Sequence, residues 1–136
     1  MKVKLDPGAF MPERAHPDDA GLDIRSPVDT YVPANGSTTV DTGVHVEIPY
    51  SAAGFLKSKS GLHVMHGISS EGVVDCGYTG SIRVKLVNHT DVPYHVHCGD
   101  KISQLVVIPI YLVVPEQVDE LPETERGGHG FGSTGG

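Results

Sequence analysis

The chain has 136 residues, enough for one domain around one core and too little hydrophobic material for a second. Seventeen acidic against ten basic residues give a formal net charge of -7, which excludes the basic stripe of a nucleic-acid-binding surface. A small anion can still be held where the few cations converge, with Lys57, Lys59, Lys101 and Arg126 as the candidates.

Cys76 and Cys98 form no CxxC pair, and neither a signal peptide nor a long apolar run is visible. The expectation is a soluble, cytoplasmic protein with no membrane partner. Seventeen glycines and ten prolines cut the sequence into pieces too short for most helices, which predicts an all-β domain, a jelly-roll-like sandwich or barrel of short strands. In chain order, strands are expected near residues 2–5, 28–32, 37–40, 44–48, 53–58, 82–86, 92–97, 102–108 and 110–114. Alternation of apolar and polar residues is clear in Val44-His45-Val46-Glu47-Ile48 and clearer in Ile82-Arg83-Val84-Lys85-Leu86, so each has one wet face. Turns fall at Ala34-Asn35-Gly36 and Cys98-Gly99-Asp100. Gly61 to His66 is the one stretch suited to a helical turn, with Ser60 as its cap. Residues 1–115 make the β domain, and 116–136 make a flexible C-terminal arm, acidic from Glu116 to Glu125 and glycine-rich from Arg126 onward.

The arm's last eleven residues combine Arg126, Phe131, Ser133 and Thr134 with six glycines. Such a segment has no preference for helix or strand, yet its N–H groups, hydroxyls and cation suit phosphate oxygens, and Phe131 suits the face of a base. Four further polar clusters interrupt the strands. Ala20-Gly21-Leu22-Asp23-Ile24 reads as a glycine turn into a strand, with Asp23 bonding local amides. Lys57-Ser58-Lys59-Ser60-Gly61-Leu62 reads as a solvated strand end, and Gly99-Asp100-Lys101-Ile102-Ser103-Gln104-Leu105 as a hairpin turn entering a core strand, with Gln104 on the wet face. Gly72-Val73-Val74-Asp75-Cys76-Gly77-Tyr78-Thr79-Gly80 reads as a glycine-bounded loop that sets a carboxylate and an aromatic ring over a ligand.

The five clusters, in this order, resemble the trimeric dUTP diphosphatase (dUTPase) family from about residue 20 to the end. The matching stretches are AGLDIRS, KSKSGL followed by HGI, GVVDCGYTG leading to a strand that ends at Asn88, GDKISQL, and RGGHGFGSTG. The resemblance implies a jelly-roll-like domain assembled as a threefold homotrimer with shared active sites. It also implies hydrolysis of dUTP to dUMP and pyrophosphate, which limits uracil in DNA and supplies dUMP for dTMP synthesis.

On that likeness Asp75 is the general base that orients a water toward the α-phosphorus. Mg2+ is carried mainly by phosphate oxygens and water, with no direct protein ligand. Lys59, Ser60, Gly61 and Gln104 contact phosphates, and Arg126, Ser133 and Thr134 close over them while Phe131 stacks on uracil. Many members carry proline and arginine where this chain has Ser58 and Lys59, and lysine keeps the charge without the bidentate fork. Gly72, Val73 and Val74 read uracil through main-chain groups, and the Tyr78 ring excludes a 2'-hydroxyl. Asp23 fits either a supporting role near the metal waters or a turn aspartate, and Arg83 either lines the site or points to solvent.

Three other readings compete. A dCTP deaminase of the same superfamily needs a glutamate where this chain has Lys85. A nucleotide-dependent regulatory binding protein would use the same site residues. A zinc site built on His95 and His97, which share one strand face, lacks a matching Cys or His pair.

Overall fold

The computed structural model describes residues 1–132 and 135. Ser133 and Thr134, assigned above to the phosphates, lie outside the described residues. Among the described residues eleven strands and one helix follow in the order β1 (Val3–Leu5), β2 (Gly21–Arg25), β3 (Thr30–Val32), β4 (Ser37–Asp41), β5 (Val44–Val46), β6 (Ala52–Lys57), α1 (Ser60–His66), β7 (Ile68–Ser69), β8 (Glu71–Asp75), β9 (Arg83–Asn88), β10 (Tyr94–Val96) and β11 (Lys101–Pro109). All pairings are antiparallel and build a jelly-roll-like β domain. One sheet runs β2-β11-β6-β8, another β4-β9-β7, and two ribbons pair β1 with β5 and β10 with β3. Among the described residues no helix is long and apolar enough to cross a membrane.

The core forms where the inward positions of these sheets meet. Ile24, Leu56, Val84, Leu86, Val96, Ile102 and Leu105 are all buried in one cluster. Burying a side chain of this size contributes about 2 kcal/mol, so alternation along β9 is enough to seat Val84 and Leu86 inward while Arg83 and Lys85 stay wet. At Gly54 the packing admits no side chain, because a Cβ would stand 2.8 Å from Leu105 Cδ1.

Several expectations need correction. The apolar run 110–114 forms no strand: it follows β11 as exposed coil, with Tyr111, Val113 and Val114 at least 80% exposed. The Asp75 cluster is not all loop, since its first half is β8, paired along β6. Asp23 lies inside β2, not in a turn. Ser60 does not cap α1: Lys59 holds the N-cap position, and no side-chain hydrogen bond closes it.

Candidate active site

Across the β2-β11-β6-β8 sheet, Gln104 pairs with Asp23 on one side and Lys57 on the other, and Lys57 pairs with Glu71. Register therefore lines up two acids, an amide and a lysine in one row on one strand level. Lys57 is neutralised by Glu71, with Nζ 2.9 and 2.8 Å from the two carboxylate oxygens. Both side chains are well exposed, so this bridge is worth about 0–1 kcal/mol.

Asp23 is different, at 5% exposure. Lys59 Nζ lies 2.5 Å from its Oδ1 and Lys101 Nζ 2.7 Å from its Oδ2. The second approach is a close charge contact and not a well-directed hydrogen bond, which leaves Oδ2 without a directional donor. Burial alone would raise the Asp23 carboxyl, but the close ammonium groups of Lys101 and Lys59 outweigh it and hold it below its ordinary value. Of the four cations expected to converge, two do so, and they do so on this carboxylate.

A hydrogen-bond network fixes the segment that carries Lys59, Ser60 and Gly61. Gln104 donates Nε2 to the Ser58 carbonyl at 3.0 Å, and Ser103 Oγ donates to the Lys57 carbonyl at 3.1 Å. Ser58 Oγ accepts from the Ser70 amide at 2.9 Å, and the Ser70 and Ser103 hydroxyls meet at 2.9 Å. Gln104 can reach across because Gly21 has no side chain: a Cβ there would collide with the Gln104 carbonyl oxygen and stand 3.0 Å from its Cβ. Gly21 is thus a site residue that sequence reading took for a turn. Ser60 and Gly61 sit exposed at the start of α1.

A second group gathers around a cavity of about 240 Å³ lined by Leu56, Gly72, Val73, Val74, Asp75, Tyr78, Ile82 and Arg83. Pockets for whole small ligands run from roughly 300 to 1,000 Å³, so this one suits a part of a nucleotide. Gly72 pairs with Leu56 and leaves Leu56 Cδ1 its space, 3.2 Å from where a Cβ would be. Val74 points to the core, while Val73 and Asp75 face outward. The carboxylate of Asp75 is exposed at the end of β8, and its carbonyl accepts the Tyr78 amide at 3.0 Å. Tyr78 is 47% exposed, and its hydroxyl donates to the Ser81 carbonyl at 2.9 Å. The ring's hydroxyl end packs against the chain at Gly80, where a Cβ would meet the Tyr78 hydroxyl oxygen at 2.5 Å. Arg83 does line the cavity while staying exposed, with Nε 3.6 Å from Asp41.

Within one chain Asp75 stands on a different level of the ladder from the Asp23, Gln104 and Lys57 row. Asp75 pairs with Ala53, whereas Glu71 pairs with Lys57, four residues along the same ladder. At roughly 3.3 Å per residue that is about 13 Å. The arm forms a third element. Among the described residues its hydrogen bonds beyond Ile110 are local, such as Arg126 Nε to the His129 carbonyl at 2.9 Å, and Phe131 is fully exposed. His95 stacks on Tyr31 with centroids 4.3 Å apart and touches His97. Among the described residues no three His, Cys, Asp or Glu side chains converge as a metal-holding group.

The dUTPase family model matches residues 8–135. The deoxyuridine 5'-triphosphate nucleotidohydrolase of Gloeothece citriformis is 41% identical over 99% of this chain and 96% of its own length. Among solved structures, the Staphylococcus bacteriophage 80alpha dUTPase with dUPNHPP superposes with a TM-score of 0.92 at 32% identity, covering 98% of this chain and 97% of that one. A mutant dUTPase from phage phi11 of S. aureus, whose structure reveals the molecular details for the coordination of a structural Mg(II) ion, superposes with a TM-score of 0.81 at 28% identity over 88% of this chain and 96% of its own. Agreement in both sequence and backbone over almost the whole length leaves one assignment: the chain belongs to the dUTPase family.

Proposed function

We propose that this chain hydrolyses dUTP, taken up as its Mg2+ complex, to dUMP and pyrophosphate. The observation that carries the reading is Asp75, an outward, exposed carboxylate at the mouth of the cavity walled by Gly72, Val73, Val74 and Tyr78. A water held by that carboxylate attacks the α-phosphorus, its proton passes to Asp75, and the bond from the α-phosphorus to the bridging oxygen breaks to release pyrophosphate. Positioning supplies much of the acceleration, because a carboxylate is a weak base. The Mg2+ ion supplies charge neutralisation to the triphosphate, whose oxygens, with water, are the hard donors such an ion takes.

Main-chain groups of Gly72 to Val74 bind uracil, and the Tyr78 ring under the sugar leaves no room for a 2'-hydroxyl. Lys59, Ser60, Gly61 and Gln104 hold phosphates. Lys59 reaches them by leaving Asp23, which keeps Lys101 as its counterion. Asp23 is thus the support for two lysines. From the arm, Arg126, Ser133 and Thr134 close over the phosphates and Phe131 stacks on the base.

The separation of about 13 Å between the Lys57 and Asp75 levels of β8 supports a site completed by neighbouring chains. In a threefold homotrimer one chain brings the Asp23, Lys59 and Gln104 group, the next the Asp75 and Tyr78 group, and the third the arm. Lys85, exposed on β9, gives no carboxylate for deamination of dCTP.

The test is pyrophosphate release from dUTP, dTTP, dCTP and UTP with Mg2+, run beside Asp75→Asn. Turnover of dUTP alone is expected, falling by about two orders of magnitude or more in the variant. Ammonia release from dCTP, or an Asp75→Asn enzyme as fast as the parent, would overturn the reading.

A further inference from the structure

His45 stands on β5 with its ring only 18% exposed and both nitrogens engaged. Nδ1 is 2.8 Å from the Thr79 carbonyl oxygen, and Nε2 is 3.0 Å from Asp6 Oδ2. A carbonyl and a carboxylate both accept only, so the two contacts together need an N–H on each side of the ring, which is the imidazolium form. A neutral ring would set a lone pair against one acceptor. Thr79 follows Tyr78 directly, in the loop between β8 and β9 that closes the Asp75 cavity.

The rest of that loop is tied down from the same side. Asp41 Oδ1 accepts from Ser81 Oγ and from the Gly43 amide, and Thr42 Oγ1 donates to the Ile82 carbonyl at 2.7 Å. The Ser81 carbonyl in turn receives the Tyr78 hydroxyl. The ring of Tyr78 is therefore held from Ser81, and the backbone beside it depends on the His45 contact at Thr79.

We propose that His45 is a positioning residue for the sugar subsite: by bridging Asp6 to the Thr79 carbonyl, its doubly protonated ring fixes the loop under Tyr78 and so sets how strictly a 2'-hydroxyl is rejected. The proposal rests on the dUTP reading above and adds to it a residue outside the five matching sequence stretches. The charged groups around the ring agree with it. Asp6 first, and then the Thr79 carbonyl, hold His45 protonated above the usual value of 6.5, against burial and the charge of Lys4. Lys4 faces His45 across the β1-β5 pair but is drawn toward Asp6, with Nζ 3.9 Å from Oδ1. Asp41, paired with Arg83, adds a second negative charge nearby, and Lys2 and Glu47 neutralise each other at 2.9 Å. Because the folded value is raised, the latch is closed below 6.5 and opens as the pH climbs through the folded value.

The test follows the ratio of kcat/KM for dUTP over UTP from neutral to alkaline pH in the parent, His45→Ala and Asp6→Asn. The parent ratio is expected to fall about fivefold as His45 loses its proton, the worth of one hydrogen bond, through a rise in kcat/KM for UTP with a smaller change in kcat/KM for dUTP. His45→Ala should give the low ratio at every pH. Asp6→Asn should keep the high ratio with no step, because an amide can donate to a neutral Nε2 while Nδ1–H still serves Thr79. A ratio that stays flat while His45 titrates, or the same step in His45→Ala, overturns the proposal. If dUTP is not cleaved at any pH, the functional reading fails. The latch is then judged by nuclear magnetic resonance: amide signals of Tyr78 and Gly80 that ignore the His45 titration sink it, and signals that follow it and lose that dependence in His45→Ala support it.

Discussion

Lys101 holds one carboxylate oxygen of Asp23 at 2.7 Å, leaving the other to Lys59 at 2.5 Å. Two cations on one buried acid give the cluster a net positive charge, and either lysine can leave without stranding the carboxylate. Removal of the carboxylate has the opposite effect, since two ammonium groups would then face each other. Asp23→Asn is expected to cost about 2 kcal/mol, less than for a fully buried pair because both lysines are partly exposed. The acid limb gives a second reading of the same group. The Asp23 pKa is lowered on folding, so its contribution is complete above the ordinary 3.8 and lost as the pH falls through the folded value. Urea midpoints measured against pH should converge for parent and variant in acid and separate toward neutrality, and parallel curves would count against the ion-pair account.

Lys59→Ala tests whether that lysine is spared for the substrate. Lys101 still neutralises Asp23 in the variant, so thermal stability should change little while KM for dUTP rises about tenfold, as for one charge-assisted contact. A large drop in Tm with unchanged KM would assign Lys59 to the fold instead.

Gly80→Ala puts a methyl group where the Tyr78 hydroxyl now lies 2.5 Å from the Cβ position. The ring is stiff and its hydroxyl is bonded to Ser81, so it must move as a unit. Turnover of UTP relative to dUTP is expected to rise at least about tenfold, and equal selectivity in steady-state assays would separate Tyr78 from sugar choice.

Deleting residues 126–136 should lower kcat by orders of magnitude and leave Tm where it is. Among the described residues the last hydrogen bond from this end of the chain to the body is the Ile110 amide to the Ser51 carbonyl at 2.8 Å, ahead of the deletion. A truncated protein with full turnover would remove the arm from the chemistry.

Sequence pattern revealed the elements whose signals are local. Alternation located β5 and β9, and the Ala34-Asn35-Gly36 turn appears with Asn35 at a φ of 51°. β2 and β8 were harder, because Gly21 and Gly72 look like turn residues and instead make room for the Gln104 and Leu56 side chains across the sheet. The apolar run 110–114 misled in the other direction, since β propensity without a partner ladder does not make a strand. In the site, the Asp75 to Tyr78 spacing was readable because both lie in one short segment. The pairing of Asp23 with residues 36 and 78 positions away, and of His45 with Asp6 and Thr79, is fixed only by the register of distant strands.

On the proposed homotrimer, the step of about 13 Å along β8 puts the Asp75 and Lys59 groups of one chain into different catalytic centres, so two different defects need not be fatal in the same assembly. Under that proposal Asp75→Asn would spoil what a chain lends to one neighbour, and Lys59→Ala what it offers to another, so mixed oligomers of the two should recover catalytic centres built wholly from undamaged halves. Neither parent population has such a centre. In a cell carrying both alleles, the oligomer would complement itself.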